Sequence, residues 1–251
     1  MSGSRPLALV TGGMRRLGAA IAARLAGAGY DLALSSHIDG APEPHLQDAL
    51  GSSGAEWQGF VADLAEPIAP GQLMENVVAH FGRVPDLLVN NAAMFGQDDW
   101  TNMDAETLDA HFRLNMFAPL LLSQALVKAA TAQVAIVHIA DQRIENPPPD
   151  QLSYTLSKQA LAASVRTMAT SFGAKARVNA VAPGLVIVTD DYADGQAERL
   201  AHMMPLGALP DPAGIADAVL YLASAQHVTG QTLFVDGGAH LKSFSRDFVH
   251  L

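Results

Sequence analysis

The apolar run Leu7-Ala8-Leu9-Val10 passes directly into a glycine-rich turn, Thr11-Gly12-Gly13-Met14-Arg15-Arg16-Leu17-Gly18, and then into a helical pattern. From there short apolar runs and helical patterns alternate along the chain. Strands are expected at 7–10, 31–35, 57–62, 86–89, 134–139, 177–181 and 232–235. Helices are expected at 16–28, closed by Gly29, and at 71–81, 105–130, 152–172 and 212–223. The Gly/Pro/Ser-rich stretch 37–54 has room only for a short helix.

Short apolar strands separated by helices form a parallel sheet covered on both faces. A TIM barrel has similar length and alternation. The glycine turn after the first strand favours an open, doubly wound Rossmann sheet instead. With 251 residues and no internal repeat or linker, the expected organisation is one α/β domain, residues 1–251, with seven parallel strands.

Composition narrows the function. There are 15 Lys+Arg against 25 Asp+Glu, a net charge of −10, which argues against binding a phosphate backbone. Without cysteine, disulfides and thiolate metal sites are impossible. The nine histidines form no metal-binding spacing, so no metal is expected. Residues 1–6 lack the apolar stretch of a signal peptide, and no run approaches the roughly 18 apolar residues of a membrane span. The expectation is a soluble, cytoplasmic protein that engages neither nucleic acid nor membrane.

Glycines 12, 13 and 18 let the first turn approach a pyrophosphate, whose charge meets the helix N-terminus. An acid commonly ends the second strand of NAD-binding sheets, where it holds the ribose hydroxyls. Here that position reads Ser35-Ser36-His37, with no carboxylate until Asp39. Hydroxyls, an imidazole and nearby Arg15 and Arg16 suit a 2′-phosphate, which favours NADP(H) over NAD(H). A solvated loop role for His37 is the bland alternative.

Tyr154 and Lys158 are spaced i, i+4 and share a helical face. A free tyrosine has a pKa near 10. A neighbouring ammonium and an oxidised nicotinamide ring would lower it toward use in proton transfer. Asp141 lies thirteen residues upstream of the tyrosine.

These pieces resemble the short-chain dehydrogenase/reductase family over nearly the whole chain. The matching motifs are the Thr11–Gly18 turn, Asp63-Leu64, Asn90-Asn91-Ala92-Ala93, Asn115, Tyr154-x-x-x-Lys158, Arg177-Val178-Asn179 with Pro183-Gly184, and Val235-Asp236-Gly237-Gly238. The resemblance implies that Gly12, Arg16, Leu17, Ser36, His37, Asp63, Leu64, Asn91 and Ala92 line the cofactor cleft. It implies further that Lys158 holds the nicotinamide ribose, that Asn115 organises a water relay to it, and that Pro183-Gly184 flank the nicotinamide. Family members are usually tetramers or dimers, so a homotetramer is expected, paired through the helices near 105–130 and 152–172.

Two departures narrow the subgroup. Arg16 replaces a residue that is usually glycine, and Asp141 replaces the usual serine. Both features resemble pteridine reductases and bacterial dihydromonapterin reductases, as does Phe95, an aromatic four residues after Asn91. In that subgroup such an aromatic stacks the pterin against the nicotinamide. A carbonyl reducer needs a neutral hydroxyl beside the oxygen that becomes negative. A dihydropterin instead presents an imine nitrogen that must receive a proton, which a partly desolvated carboxyl can supply. Phe95 could then clamp one face of the flat ring, and Arg16 could bridge cofactor phosphate and pterin.

The expected activity is NADPH-dependent reduction of a dihydropterin of the monapterin, biopterin or folate type. Asp141 and Tyr154 supply the proton, with Lys158 lowering the tyrosine pKa. Duller readings stand beside it: Asp141 paired with Arg143 in an inactive lineage, Phe95 as packing, Arg16 as a cofactor contact alone. Residues 185–204, with Asp190, Asp191, Tyr192 and Asp194, are expected to form a substrate loop. A carbonyl or alcohol oxidoreductase and a non-catalytic NADP(H)-binding sensor or scaffold remain as alternatives.

Overall fold

The computed structural model describes residues 5–189 and 192–251. Asp190 and Asp191, two of the acids expected in the substrate loop, lie outside the described residues. The strands are β1 (Leu7–Val10), β2 (Asp31–Ser36), β3 (Trp57–Val61), β4 (Leu87–Asn90), β5 (Val134–Ile139), β6 (Ala176–Pro183) and β7 (Thr232–Val235). The helices are α1 (Arg16–Gly27), α2 (Pro44–Ser53), α3 (Ala69–Phe81), α4 (Ala105–Phe112), α5 (Ala118–Ala129), α6 (Leu152–Phe172), α7 (Gln196–Met203) and α8 (Pro212–Ser224).

Alternate residues of β1 serve opposite faces of the sheet, as a parallel sheet covered on both sides requires. Ala8 and Val10 join Ile21 and Leu25 of α1 and Ile215 and Val219 of α8 in one core. Leu7 and Leu9 point the other way, to Leu73 and Val77 of α3, Leu122 and Leu126 of α5 and Val165 of α6. These side chains are fully or almost fully buried. Each buried Leu, Ile or Val contributes on the order of 1.5–3 kcal/mol to folding. The apolar content of the sequence is therefore spent on two sheet–helix interfaces.

The sheet order is β3-β2-β1-β4-β5-β6-β7, with every neighbouring pair parallel. The chain winds outward from β1 to β3, then returns to place β4 on the other side of β1. In such sheets the crevice at the carboxyl ends of the strands flanking this reversal receives ligands. The glycine turn, Asp63-Leu64, Asn91-Ala92-Ala93, Asp141, Pro183-Gly184 and Asp236-Gly237-Gly238 emerge at that edge, whereas Arg177-Val178-Asn179 lie at the opposite end, at the start of β6.

The seven expected strands are all present, within a few residues at their ends. The expected helix over 105–130 is divided: α4 and α5 are separated by a π-helical turn, Arg113–Phe117. A π turn holds one more residue than the regular helix allows. Here the wide turn contains Asn115, whose amide bonds both backbone groups of Met94, N to Oδ1 at 2.9 Å and Nδ2 to O at 3.0 Å. The expected substrate loop 185–204 is also not all loop, since Gln196–Met203 form α7. Among the described residues, no helix is long and apolar enough to cross a membrane.

Candidate active site

The first turn is shaped by steric necessity. Gly12 has φ +60°, and a Cβ there would lie 3.1 Å from Asn91 Nδ2 and 3.2 Å from Ala92 Cα. A Cβ on Gly18 would fall 2.0 Å from Gly12 O. Asn91 holds the turn in place through Nδ2 bonds to the carbonyls of Thr11 (2.9 Å) and Gly12 (3.2 Å). Thr11 Oγ1 accepts in return from the N–H groups of Asn91 and Ala92. Arg16, where glycine is usual, has φ +52°. That is a left-handed conformation few non-glycine residues adopt. The N–H of Arg16 donates to Glu43 Oε1 at 2.8 Å.

This turn forms one wall of a cleft of about 590 Å³ that also contains Leu17, Ser36, His37, Asp63 and Leu64. The side chains at its far end are open to solvent: His37 is 72% and Asp63 47% exposed, with the imidazole 3.7 Å from the carboxylate. Ser36 Oγ donates to Ile38 O at 2.7 Å. A cradle that a Cβ on Gly12 or Gly18 would fill, at the start of a helix whose N-cap residue Arg15 makes no side-chain cap, fits the pyrophosphate of a dinucleotide.

Arg16, Leu17 and Asn91 also border a second cavity, of about 630 Å³, at the ends of β5 and β6. It brings together Phe95, Asp141, Tyr154, Lys158, Pro183 and Gly184. Tyr154 Oη donates to Asp141 Oδ2 at 2.7 Å, and Arg143 N donates to Asp141 Oδ1 at 2.8 Å. The Phe95 ring meets the Tyr154 ring edge-on with centroids 4.7 Å apart, yet it is 54% exposed. It therefore offers a face to the cavity rather than packing beneath the loop. Helix α6 is seated by Asp98, whose carboxylate accepts from Ser153 N and, at 2.5 Å, from Ser153 Oγ.

Burial dominates the electrostatics of this end. It raises Asp141 above the ordinary carboxylate range, opposed by the Arg143 N–H, the Tyr154 hydroxyl and the charges of Arg143 and Lys158. Burial and then the neighbouring Asp141 push Tyr154 well above its usual value. In the protein alone the charge that opposes this rise is that of Arg143, not Lys158. The ammonium turns to Ile139 O at 2.7 Å and lies 5.8 Å from the Tyr154 ring centroid. Lys158 is itself lowered to about 8 by burial, and His138 below it to about 3. Tyr154 and Asp141 are thus a hydrogen-bonded pair in which both groups are shifted toward holding their protons.

Asn115 is placed behind the cavity wall. Besides Met94, its Nδ2 donates to Ser157 Oγ at 3.0 Å, and Ser157 Oγ donates to Tyr154 O. Arg143 does not pair with Asp141 through its side chain. Its guanidinium bonds Asp150, Thr155 and Asp247. The sequence reading did not single out Asp98, Ser157, Asp247, Phe248 or Val249, of which the last three line the cavity. None has a local signal that points to the site: Asp98 acts on Ser153, Asn115 on Ser157 and Asp247 on Arg143 across 55, 42 and 104 residues.

The family model described as Enoyl-(Acyl carrier protein) reductase matches residues 12–240. The chain is 30% identical to the mouse (3R)-3-hydroxyacyl-CoA dehydrogenase, with 92% of this chain and 95% of the relative covered. It is 29% identical to the 3-oxoacyl-(acyl-carrier-protein) reductase FabG of Salmonella typhimurium, over 96% of this chain and all of that one. Its fold superimposes on FolM alternative dihydrofolate reductase 1 from Brucella canis, solved with NADP, with a TM-score of 0.86 and 31% identity over 97% of each chain. A doubly wound sheet, a glycine cradle and a Tyr/Lys pair at its carboxyl edge agree with these matches: the chain belongs to the short-chain dehydrogenase/reductase family and is an oxidoreductase.

Proposed function

We propose that this protein is an NADPH-dependent reductase of a dihydropterin. The observation that carries the reading is the partly buried Asp141 carboxyl, 2.7 Å from Tyr154 Oη, beside an aromatic ring open to the same cavity. Carbonyl reduction develops negative charge on oxygen, which a hydroxyl donor such as serine meets without the cost of keeping a carboxyl protonated. Imine reduction needs a proton on nitrogen, and a carboxyl raised by burial holds one. The Brucella neighbour, described as a dihydrofolate reductase in complex with NADP, supports both substrate class and cofactor.

When bound, the dinucleotide would supply hydride to the ring carbon of the C=N bond. Gly12, Leu17, Asn91 and Ala92 would hold its phosphates and adenosine half, with Asp63 and Leu64 beside the adenine. Ser36, His37 and Arg15 would meet a 2′-phosphate. Lys158 and Pro183-Gly184 would fix the nicotinamide end. Phe95 would stack on the pterin and Arg16 would bridge pterin and phosphate. Asp141, held by the Tyr154 hydroxyl, would pass its proton to the ring nitrogen, and solvent would then reprotonate the carboxylate. Asn115, in the π turn, would order water toward Lys158. We place the active form as a homotetramer in the cytoplasm.

The test is the initial rate of NADPH oxidation with 7,8-dihydrobiopterin and 7,8-dihydrofolate beside a ketone panel, with the tetrahydro product identified by chromatography. Turnover of pterins alone is expected. A second reading, carbonyl reduction of an acyl thioester, is favoured by the names of the mouse and Salmonella relatives. Turnover of ketones alone would establish it and overturn the first.

A further inference from the structure

The C-terminal segment turns back onto the reaction cavity, and Asp247, Phe248 and Val249 form part of its lining. Asp247 Oδ2 accepts from Arg143 Nη1 at 2.7 Å, and Asp247 N donates to Asp150 Oδ2 at 2.7 Å. Arg143 is 3% exposed, and its guanidinium also bonds Thr155 Oγ1 and both the carbonyl and the carboxylate of Asp150. A cation so deeply placed is tolerable only while its donors are met and its charge is balanced. The backbone N–H of the same residue holds Asp141 Oδ1. At the other side of the tail, buried Gln196 donates from Nε2 to Phe248 O at 2.8 Å and to Val249 O at 3.1 Å. Phe244 and Phe248 share an apolar cluster with Leu200 and Met204. Lys242 Nζ donates to Met203 O at 2.6 Å, so the tail grips α7 near both ends.

We propose that residues 244–251 are the outer wall of the reaction cavity and a positioning device for the Asp141 carboxyl. Asp247 acts on it through Arg143, and Gln196 ties the placement of α7 to the same wall. The acceptor-binding part is independent of substrate identity, whereas the Asp141 part rests on the proton-donor role proposed above. Substituents that extend from the reduced ring meet Phe248 and Val249, so the tail sets which acceptors fit. The charged and titratable groups facing Asp141 are Tyr154 and Lys158 on α6, Arg143 after β5 with its partners Asp150 and Asp247, and Arg16 across the cavity. Removing the Asp247 charge leaves Arg143 less balanced, and its cation then favours the ionised form of Asp141.

The test uses the full-length variants Asp247→Asn and Gln196→Ala. The probe is 7,8-dihydrobiopterin, or ethyl acetoacetate should the wild-type protein reduce only the ketone. For Asp247→Asn with the pterin, the alkaline limb of kcat moves down by about 0.5–1 pH unit. For Gln196→Ala, KM rises about 3- to 10-fold, the worth of a lost hydrogen bond, while the limb stays in place. In both variants, backbone hydrogen exchange across residues 196–203 quickens without any substrate present, and NADPH affinity stays within about twofold of wild type. Wild-type KM, pH limb and exchange in the variants would overturn the proposal. Loss of NADPH affinity in step with activity would also overturn it, by making the tail a general brace. Failure of the pterin reading shows in the wild-type protein, and failure of this one shows only in the variants.

Discussion

The two ends of the cleft are built from different materials. At the adenosine end the chain presents backbone held in place by glycines and by Asn91, with exposed side chains such as His37 and Asp63 at the rim. At the reaction end Tyr154 and Lys158 are withdrawn from water, Asp141 is partly so, and all three are perturbed by desolvation. The first end can recognise a ligand by shape and tolerate changes at its rim. The second depends on particular atoms held at hydrogen-bond distance, such as Tyr154 Oη 2.7 Å from Asp141 Oδ2. Sensitivity to substitution should therefore differ between them by orders of magnitude.

The largest effect is expected at the buried end. Asp141→Ser should lower kcat for a dihydropterin by about 10²–10⁴-fold, the range of a lost general acid. Asp141 must be protonated to donate, and burial raises its pKa. The wild-type rate should therefore hold at pH values where an ordinary carboxylate has ionised, then fall as pH rises through the shifted value. That limb should vanish in the variant, and its persistence would assign the proton to another group. The next effect asks whether the open end is truly a backbone device. Gly18→Ala places a methyl against Gly12 O and should weaken NADPH, measured by fluorescence titration, by about tenfold or more.

A third measurement compares stabilities rather than rates. Lys158 has its pKa lowered from 10.5 to about 8, so charging it costs the folded protein more than the unfolded one. Its contribution is fully present above the unfolded value and is lost as pH falls through the folded one. Relative to Lys158→Met, the wild-type melting temperature should decline as pH falls from 10.5 to about 8, then level off. A constant difference across that window would mean that Lys158 is not desolvated. The smallest effect belongs to the rim: His37→Ala should weaken NADPH about 2- to 5-fold while leaving NADH unchanged, since exposed charges are screened. A large loss there would erase the contrast between the two ends.

Much of this contrast can be read without coordinates, and the division follows the range of the forces involved. The strands, the glycine turn and helix α6 follow from local periodicity and from glycines that no other residue can replace. The i, i+4 relation of Tyr154 and Lys158 is likewise local. What they do to one another is not, because the Tyr154 hydroxyl finds Asp141 and the Lys158 ammonium finds a carbonyl of β5. The same holds for Arg143, whose partner Asp247 lies 104 residues away. The division of the helix over 105–130 escaped because its cause, the backbone of Met94, belongs to another segment. Helix α7 escaped because its apolar residues, Leu200 among them, pack against the tail rather than the main core.

The π turn at Arg113–Phe117 also fixes the phase of everything after it. An α-helix advances about 100° per residue. Deleting a single residue from the turn would let α4 run on into α5 as one regular helix, but only by rotating one against the other by about that angle. Asn115 would then leave Met94, or Leu122 and Leu126 would leave the core. The extra residue is thus a spacer that lets one helix satisfy two masters, the sheet below and the cleft at its end, and it makes this stretch intolerant of changes in length even where it tolerates changes in side chain.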